Sequence, residues 1–594
     1  MRVADYAAGF IADLGVGEVF SVVGGGAMVL NDAFGTRPDI DYICTQHEQG
    51  AAMAAEGYAR ICGKPGVVLV TTGPGGSNAL TGICGAWVDS IPMLVISGQV
   101  TCNNMIGDSG LRQFGVQEAD VLGMVDPITK YAVCVSDPDD IRYHLEKAAW
   151  LAQSGRPGPV WVEIPVDVQG ATINPDILKG FTPPDEEADK ADLESKVGEC
   201  LEMIAAAERP VLYSGYGIHL SGAEESFQAL VDATGFPVVS SWNATDLLPS
   251  DHESFIGHCG ILGDRAGNFT VQNADLLIII GSRMSIPQTG YNFDLFAREA
   301  KIIMVDIDET EMHKPSFNVE LPIVADAGIF IQALLKRLDG EKRPDWLATC
   351  ADWKARYPVV TDEHRNIPDK INSFHFIDAL SDRLGEGAII TTDMGASFTC
   401  TMQAFRPKSG QRLFTSSGLA SMGFGLPGAI GACFANNKER VNLIAGDGGL
   451  QMSIMELQTI VHHNLPITIF VLENNGYLSI RMTQNGHYNQ LVGSDPDSGY
   501  SCPDFVKLAE AYGIPSMRIG NSDELAAGLD QAMAANGPLL CEISMPEDQS
   551  LGPRVTTRKL EDGSFIGKPL EDMNPFLDRD EFRANMIVKP VHDD

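Results

Sequence analysis

Residues 441–480 read VNLIAGDGGLQMSIMELQTIVHHNLPITIFVLENNGYLSI, and the stretch divides into three elements. Residues 441–445 form a short apolar run ending in Gly446-Asp447-Gly448, which suits a buried parallel strand followed by a tight turn. Leu450, Ile454, Leu457 and Val461 recur at helical spacing, and Asn464 with Pro466 marks a stop, so one helix is expected over this segment. Residues 467–472 are a second buried strand, ending at Glu473-Asn474-Asn475-Gly476. A strand–helix–strand unit of this length is a right-handed crossover, so both strands run parallel and end on one edge of the sheet. Asp447 and Asn474 are therefore expected at neighbouring strand ends, on the edge where open α/β sheets bind ligands. His462 and His463 fall at the helix end, away from that edge, where they favour the helix dipole.

One carboxylate, one amide oxygen, backbone carbonyls and a helix N-terminus suit a magnesium ion bridging a diphosphate. An isolated GDG is usually only a turn. Here it is followed by twenty-five residues and then Asn-Asn, with the helix and strand in place between them. This arrangement resembles the cofactor motif of thiamin-diphosphate enzymes. The resemblance makes Asp447, Asn474 and the Gly476 carbonyl the metal ligands. It also puts Gly446, Gly448, Gly449 and Tyr477 around the cofactor.

Working outward, residues 1–170 alternate strands and helices, as a parallel sheet covered on both faces requires. HEQGAAMAAEGYAR (47–60) followed by TTGPGGSNALTGICGAWVDSIPMLVISGQ (71–99) resembles the pyrimidine-binding domain of the acetohydroxyacid synthase family. Read alone, Glu48 is an acid at a helix start, favourable to the dipole. The resemblance makes it the carboxyl group that touches N1′ of the aminopyrimidine, where burial would raise its pKa toward a useful range. The segment 111–131 carries the candidate active-site glutamine, Gln117. Gly25, in the Gly24-Gly25-Gly26 turn, could bring backbone close to the cofactor. His47 shares the motif but reads equally as a structural histidine.

A polar, proline-bearing stretch at 171–190 marks a linker. The central domain, 190–340, is Rossmann-like, with glycines after strands and an acid, Asp306, after a later one. In the resembled family this domain often holds FAD, and Gly281 and Arg283 match residues near the flavin. The acidic-arginine run that follows there is replaced here by Met284-Ser285-Ile286-Pro287, so FAD stays open. A second linker is expected around 339–345, and a diphosphate-binding domain over 365–550. Within it the resemblance assigns Met394, Gly395 and Ser397 to the cofactor. It sets Met422 against the aminopyrimidine. At the position where the synthases carry a tryptophan that selects the second oxoacid, this chain has Gln484. A tail, 551–594, could cap the active site or pack on the surface.

The fold expected is thus α/β in three domains, each a parallel sheet flanked by helices. The activity implied is that of a carboligase: thiamin diphosphate- and Mg²⁺-dependent decarboxylation of a 2-oxoacid, pyruvate first, with transfer of the two-carbon unit to a carbonyl acceptor. GYLSIR (476–481) and the following TQ resemble the relatives that act on branched sugars and surface polysaccharides. A simple decarboxylase releasing an aldehyde, and a non-catalytic relative, are the alternatives. Because Glu48 and Asp447 fall in different domains, the superfamily plan implies a homodimer or homotetramer.

Composition narrows the rest. The formal charge of −37 argues against nucleic acid and anionic membranes as partners. The start is an amphipathic helix pattern without signal-peptide character, and no apolar run approaches the roughly 20 residues that span a bilayer. Twelve cysteines are scattered singly, without metal-like spacing, which suits a reduced cytoplasmic protein.

Overall fold

Short runs of apolar, β-branched residues build three six-stranded parallel sheets. The first comprises β1 (Glu18–Ser21), β2 (Asp41–Cys44), β3 (Gly66–Val70), β4 (Met93–Gln99), β5 (Ala132–Cys134) and β6 (Pro159–Pro165), in the order β2-β1-β3-β4-β6-β5. The second comprises β7 (Pro210–Ser214), β8 (Val238–Ser240), β9 (Phe255–His258), β10 (Leu276–Ile280), β11 (Lys301–Asp306) and β12 (Leu321–Val324). Its order, β12-β11-β10-β7-β8-β9, is the doubly wound dinucleotide-binding order, which reverses between β7 and β10. The third comprises β13 (Ile389–Thr392), β14 (Arg412–Phe414), β15 (Val441–Gly446), β16 (Ile467–Glu473), β17 (Ser516–Ile519) and β18 (Leu539–Ser544). Its order, β14-β13-β15-β16-β18-β17, repeats that of the first sheet. This computed structural model describes residues 1–184, 190–340, 342–559 and 565–591; the expected linkers and tail lie partly outside them.

The deciding crossover is present, with Val441 to Gly446 paired in parallel with Ile467 to Leu472. The single helix expected between these strands is corrected. The chain makes a helix over Asp447–Gln451, a 3₁₀ turn over Ile454–Glu456 and a second helix over Leu457–His463. The break falls at Ser453, whose backbone (φ −131°, ψ 19°) leaves the helical region. Glu456 just beyond it is held by tertiary bonds, accepting the backbone N–H groups of Gln46 and His47 and the Thr459 hydroxyl. These bonds outweigh a regular helix.

The described part of the tail packs against the central domain. The helix Arg265–Gln272 is buried along its whole length, and the tail supplies much of its cover. Asn268 donates to the Leu570 carbonyl (2.8 Å), Arg265 to that of Pro575 (2.6 Å) and Gln272 to the Glu571 carboxylate (2.6 Å). Leu570 and Phe582 join the core there.

Central and third domains meet at a buried histidine. His219 Nδ1 pairs with Glu224 and Nε2 with Asp246, both at 2.8 Å. Asp246 also accepts from Arg412 (3.0 Å) and the Leu413 backbone (2.9 Å) of β14. Burial opposes the imidazolium, but the two carboxylates outweigh it and hold the His219 pKa above its usual value. A raised folded-state value contributes stability that is complete below the ordinary histidine pKa and is lost as pH rises through the folded one. Wild-type melting temperature should therefore fall relative to His219→Asn as pH is raised from about 6 to about 9, measured by circular dichroism. Parallel curves would remove His219 from the junction's energetics.

Candidate active site

Asp447 opens the short helix after β15, and its buried carboxylate accepts the backbone N–H groups of Gly448 (2.7 Å), Asn474 and Gly476 (3.0 Å each). Burial pushes its pKa up, and the three N–H groups pull it back. The two strand ends are thus stitched together by the acid expected to bind metal. Gly476 has φ +136°, and a Cβ there would lie 2.3 Å from the Ser494 carbonyl oxygen, so the turn admits only glycine. The Tyr477 ring stacks on Tyr500 (4.1 Å between centroids) and closes on Gly448, where a Cβ would be 2.3 Å away.

Two residues missed in the sequence organise this edge. Arg481, 3% exposed, donates to the carbonyls of Asn474 (2.9 Å), Asn475 (3.3 Å), Ser494 (3.2 Å) and Glu547 (2.6 Å) and to Asn474 Oδ1 (3.3 Å). Asp393 accepts the backbone N–H groups of Met394 (2.7 Å), Gly423 (3.0 Å) and Gly425 (3.2 Å). Burial raises the Asp393 pKa to about 6 against the pull of those donors. A Cβ on Gly449 would lie 2.8 Å from its carboxylate. Asp393 therefore gathers Met394, the chain beside half-buried Met422, and Gly449. Ser397 Oγ donates to the Asp393 and Met394 carbonyls (3.1 Å each) and faces Gly446; Gly395 turns the chain at φ +85°. An acid after a strand was the available signal for Asp393, and an arginine inside the GYLSIR helix for Arg481.

A second group forms in the first domain. Glu48, 8% exposed, accepts from Asn78 Nδ2 at 2.9 Å through Oε2, while Oε1 faces Gly75. The His47 ring caps its helix by accepting the Gln49 N–H (3.1 Å), the structural role. Gly25 begins a 3₁₀ turn, and its neighbour Gly26 donates to Thr71 Oγ1 (3.1 Å) beside the 73–75 turn. Gln117 sits at φ +60° with its carbonyl against Gly73, and its side chain is exposed. Glu118 holds this loop through the N–H groups of Ile106, Phe114 and Gly115.

A third locus lies where the central sheet reverses, a cavity of about 340 Å³ lined by Gly281, Arg283, Gly217, Asp306 and, from the other domains, Asp89 and Ser417. Gly217 and Gly281 touch backbone to backbone; a Cβ on Gly281 would be 2.8 Å from Gly217 Cα.

The family description "Thiamine pyrophosphate enzyme, N-terminal TPP binding domain" matches residues 1–120, the central domain of the same enzymes matches 197–334, and their C-terminal TPP binding domain matches 393–543. Relatives cover nearly the whole chain. The acetolactate synthase isozyme 3 large subunit of Escherichia coli (strain K12) is 35% identical over 88% of this chain and 90% of its own length. The chain belongs to the thiamine pyrophosphate enzymes. A probable acetolactate synthase large subunit of Methanocaldococcus jannaschii is also 35% identical, over 90% of each chain, and the acetolactate synthase large subunit of Lactococcus lactis is 33% identical over 96% of each.

In this thiamine pyrophosphate enzyme the residues fit the cofactor. The β15 and β16 ends supply hard oxygen donors, and the glycine-lined helix start has no room for side chains. Arg481→Met would leave several buried carbonyls without donors. It should cost about 3 kcal/mol of stability in urea denaturation and raise the Mg²⁺ concentration needed to half-saturate cofactor binding. An unchanged Mg²⁺ requirement would reduce Arg481 to a loop brace.

Proposed function

We propose that this enzyme decarboxylates a 2-oxoacid, pyruvate first, and transfers the two-carbon unit to a second carbonyl compound, the carboligase class of its acetolactate synthase relatives. The observation that carries the reading is the convergence of Asp447, Asn474 and Gly476 on one strand edge. Thiamin diphosphate held there supplies a nucleophilic carbon and an electron sink for the departing carboxylate. Asp447, the Asn474 amide oxygen and the Gly476 carbonyl would hold Mg²⁺ to its diphosphate. Glu48, with Oε2 taken by Asn78, has Oε1 left to share a proton with ring nitrogen N1′. Its burial keeps water from that proton.

Exposed apolar residues flank both halves of the site: Val116 (82% exposed), Phe114 and Leu111 in the first domain, Met452, Met455 and Ile480 in the third. Glu48 makes its side-chain bond within its own domain. Both features favour a homodimer or homotetramer in which a second copy completes each site. The central cavity, with Gly281, Arg283 and the acid at Asp306, suits FAD. All twelve cysteines are free thiols, which favours the cytoplasm, and the net charge disfavours nucleic acid and membrane partners. Among the described residues no helix is long and apolar enough to cross a membrane.

Gln484 bears on the acceptor. Its amide holds the Val492 backbone (3.0 and 3.1 Å) and the Ser494 hydroxyl (3.0 Å). So employed, and lacking an aromatic face, it favours an acceptor bulkier than a second oxoacid, such as a keto-sugar. NMR of the protein with pyruvate, thiamin diphosphate and Mg²⁺ should show acetolactate, or slow turnover that a keto-sugar accelerates. Acetaldehyde as the sole product would replace the carboligase by a decarboxylase. Glu48→Gln should lower turnover by about 10²–10⁴-fold without changing the melting temperature. Unchanged turnover would withdraw the catalytic role. Titration with FAD should give a stoichiometric bound-flavin spectrum; none would leave the cavity to another ligand.

A further inference from the structure

Asp89 ends the helix Pro74–Asp89, and its buried carboxylate gathers donors from all three domains. Arg60 Nη2 binds Oδ2 at 2.6 Å. The backbone N–H groups of Ser417 and Gly418 donate at 2.9 Å each. Arg283 of the central domain approaches Oδ1 at 3.5 Å. Ser417 and Gly418 lie on the chain that leads from β14 to Met422. The approach is tight: a Cβ on Gly418 would fall 2.5 Å from Asp89 Oδ1 and 2.4 Å from Val88 Cγ1. Asn243 holds the same segment from the other side, donating to the Thr415 carbonyl (2.9 Å) and the Ser417 hydroxyl (3.1 Å). Asp89, Asn243, Arg283 and Ser417 together line the central cavity. Two peptide N–H groups on one buried carboxylate make a strong, directional clamp.

We propose that Asp89 is a positioning residue for the thiamin-dependent reaction: through the Ser417 and Gly418 N–H groups it fixes the 416–422 segment so that Met422 supports the cofactor. The proposal rests on the placement of Met422 beside the aminopyrimidine. Its physical content is that a residue of the first domain, at the wall of the central cavity, sets the shape of the cofactor pocket in the third. Removing Asp89 leaves Arg60 paired with Glu56 at 2.7 Å, so the buried cation keeps one partner.

The test compares Asp89→Asn, Asp89→Ala and Gly418→Ala with wild type in three measurements. These are calorimetric titration with thiamin diphosphate and Mg²⁺, the near-ultraviolet circular dichroism of the bound cofactor, and the melting temperature without cofactor. Asp89→Ala and Gly418→Ala should both bind roughly tenfold more weakly with an altered cofactor band, at a titration temperature well below the melting temperature of each. Asp89→Asn, which keeps one acceptor, should fall between. Wild-type affinity and band in both Asp89→Ala and Gly418→Ala would overturn the proposal. So would a loss of affinity in Asp89→Ala alone, with Gly418→Ala binding as wild type. If Met422→Ala changes neither affinity nor band while the Asp89 variants change both, the clamp stands and the placement of Met422 falls.

Discussion

The structure depends on a contact that has almost no side chains in it. The helix Glu48–Cys62 of the first domain lies against the helix Gly425–Ala435 of the third, backbone to backbone. A Cβ on Gly431 would sit 1.7 Å from the Ala54 carbonyl oxygen, and one on Gly57 would sit 2.3 Å from that of Gly428. Two runs of alanine and glycine allow this approach, and the dispersion gained along it is large because nothing holds the helices apart. With the two helices in contact, the sheets of like strand order become neighbours. Glu456 can then reach Gln46 and His47, and Asp89 can reach Ser417 and Gly418.

Upon that frame the loops are shaped by one repeated device, a buried carboxylate that accepts several peptide N–H groups. Asp447 joins the ends of β15 and β16, Asp393 joins the turn after β13 to the Gly423–Gly425 turn, Glu118 folds the loop beside Gln117, and Glu456 crosses between domains. Such bonds are stronger than neutral ones and orient the backbone rather than a side chain. Arg481 does the converse, a buried cation that collects carbonyl oxygens around the Asn474–Gly476 turn.

What was legible in the sequence followed from local pattern. Residues 441–445 and 467–472 are apolar runs with turn glycines behind them, and Asp447 and Asn474 could be placed from those runs alone. The edge strands β5, β9, β12, β14 and β17 escaped because runs of three or four residues are too short to carry such a pattern. β6 escaped for another reason. Proline at both ends and Glu163 inside break its apolar pattern, although the strand is buried and Gln99 satisfies the acid (3.2 Å). Glu456 and Asp89 were illegible because each acts on backbone more than three hundred positions away, whereas Asp393 and Arg481 carried only the weak signals of an acid after a strand and an arginine in a helix. The broken crossover helix has the same origin: Glu456 serves residues some four hundred positions earlier, and no helical periodicity can signal that.

The fastening of the tail sets an order on how the polypeptide is made into a protein. The helix Arg265–Gln272 and Asn273 behind it are completed by residues 570–588, as in the bond from Asn273 to the Asn585 carbonyl 312 positions later. On the ribosome the central sheet emerges long before its cover does, and its polar edge must wait, hydrated, while the third domain is synthesised. Vectorial synthesis therefore cannot finish the domains in the order in which they are encoded: the middle one is sealed last.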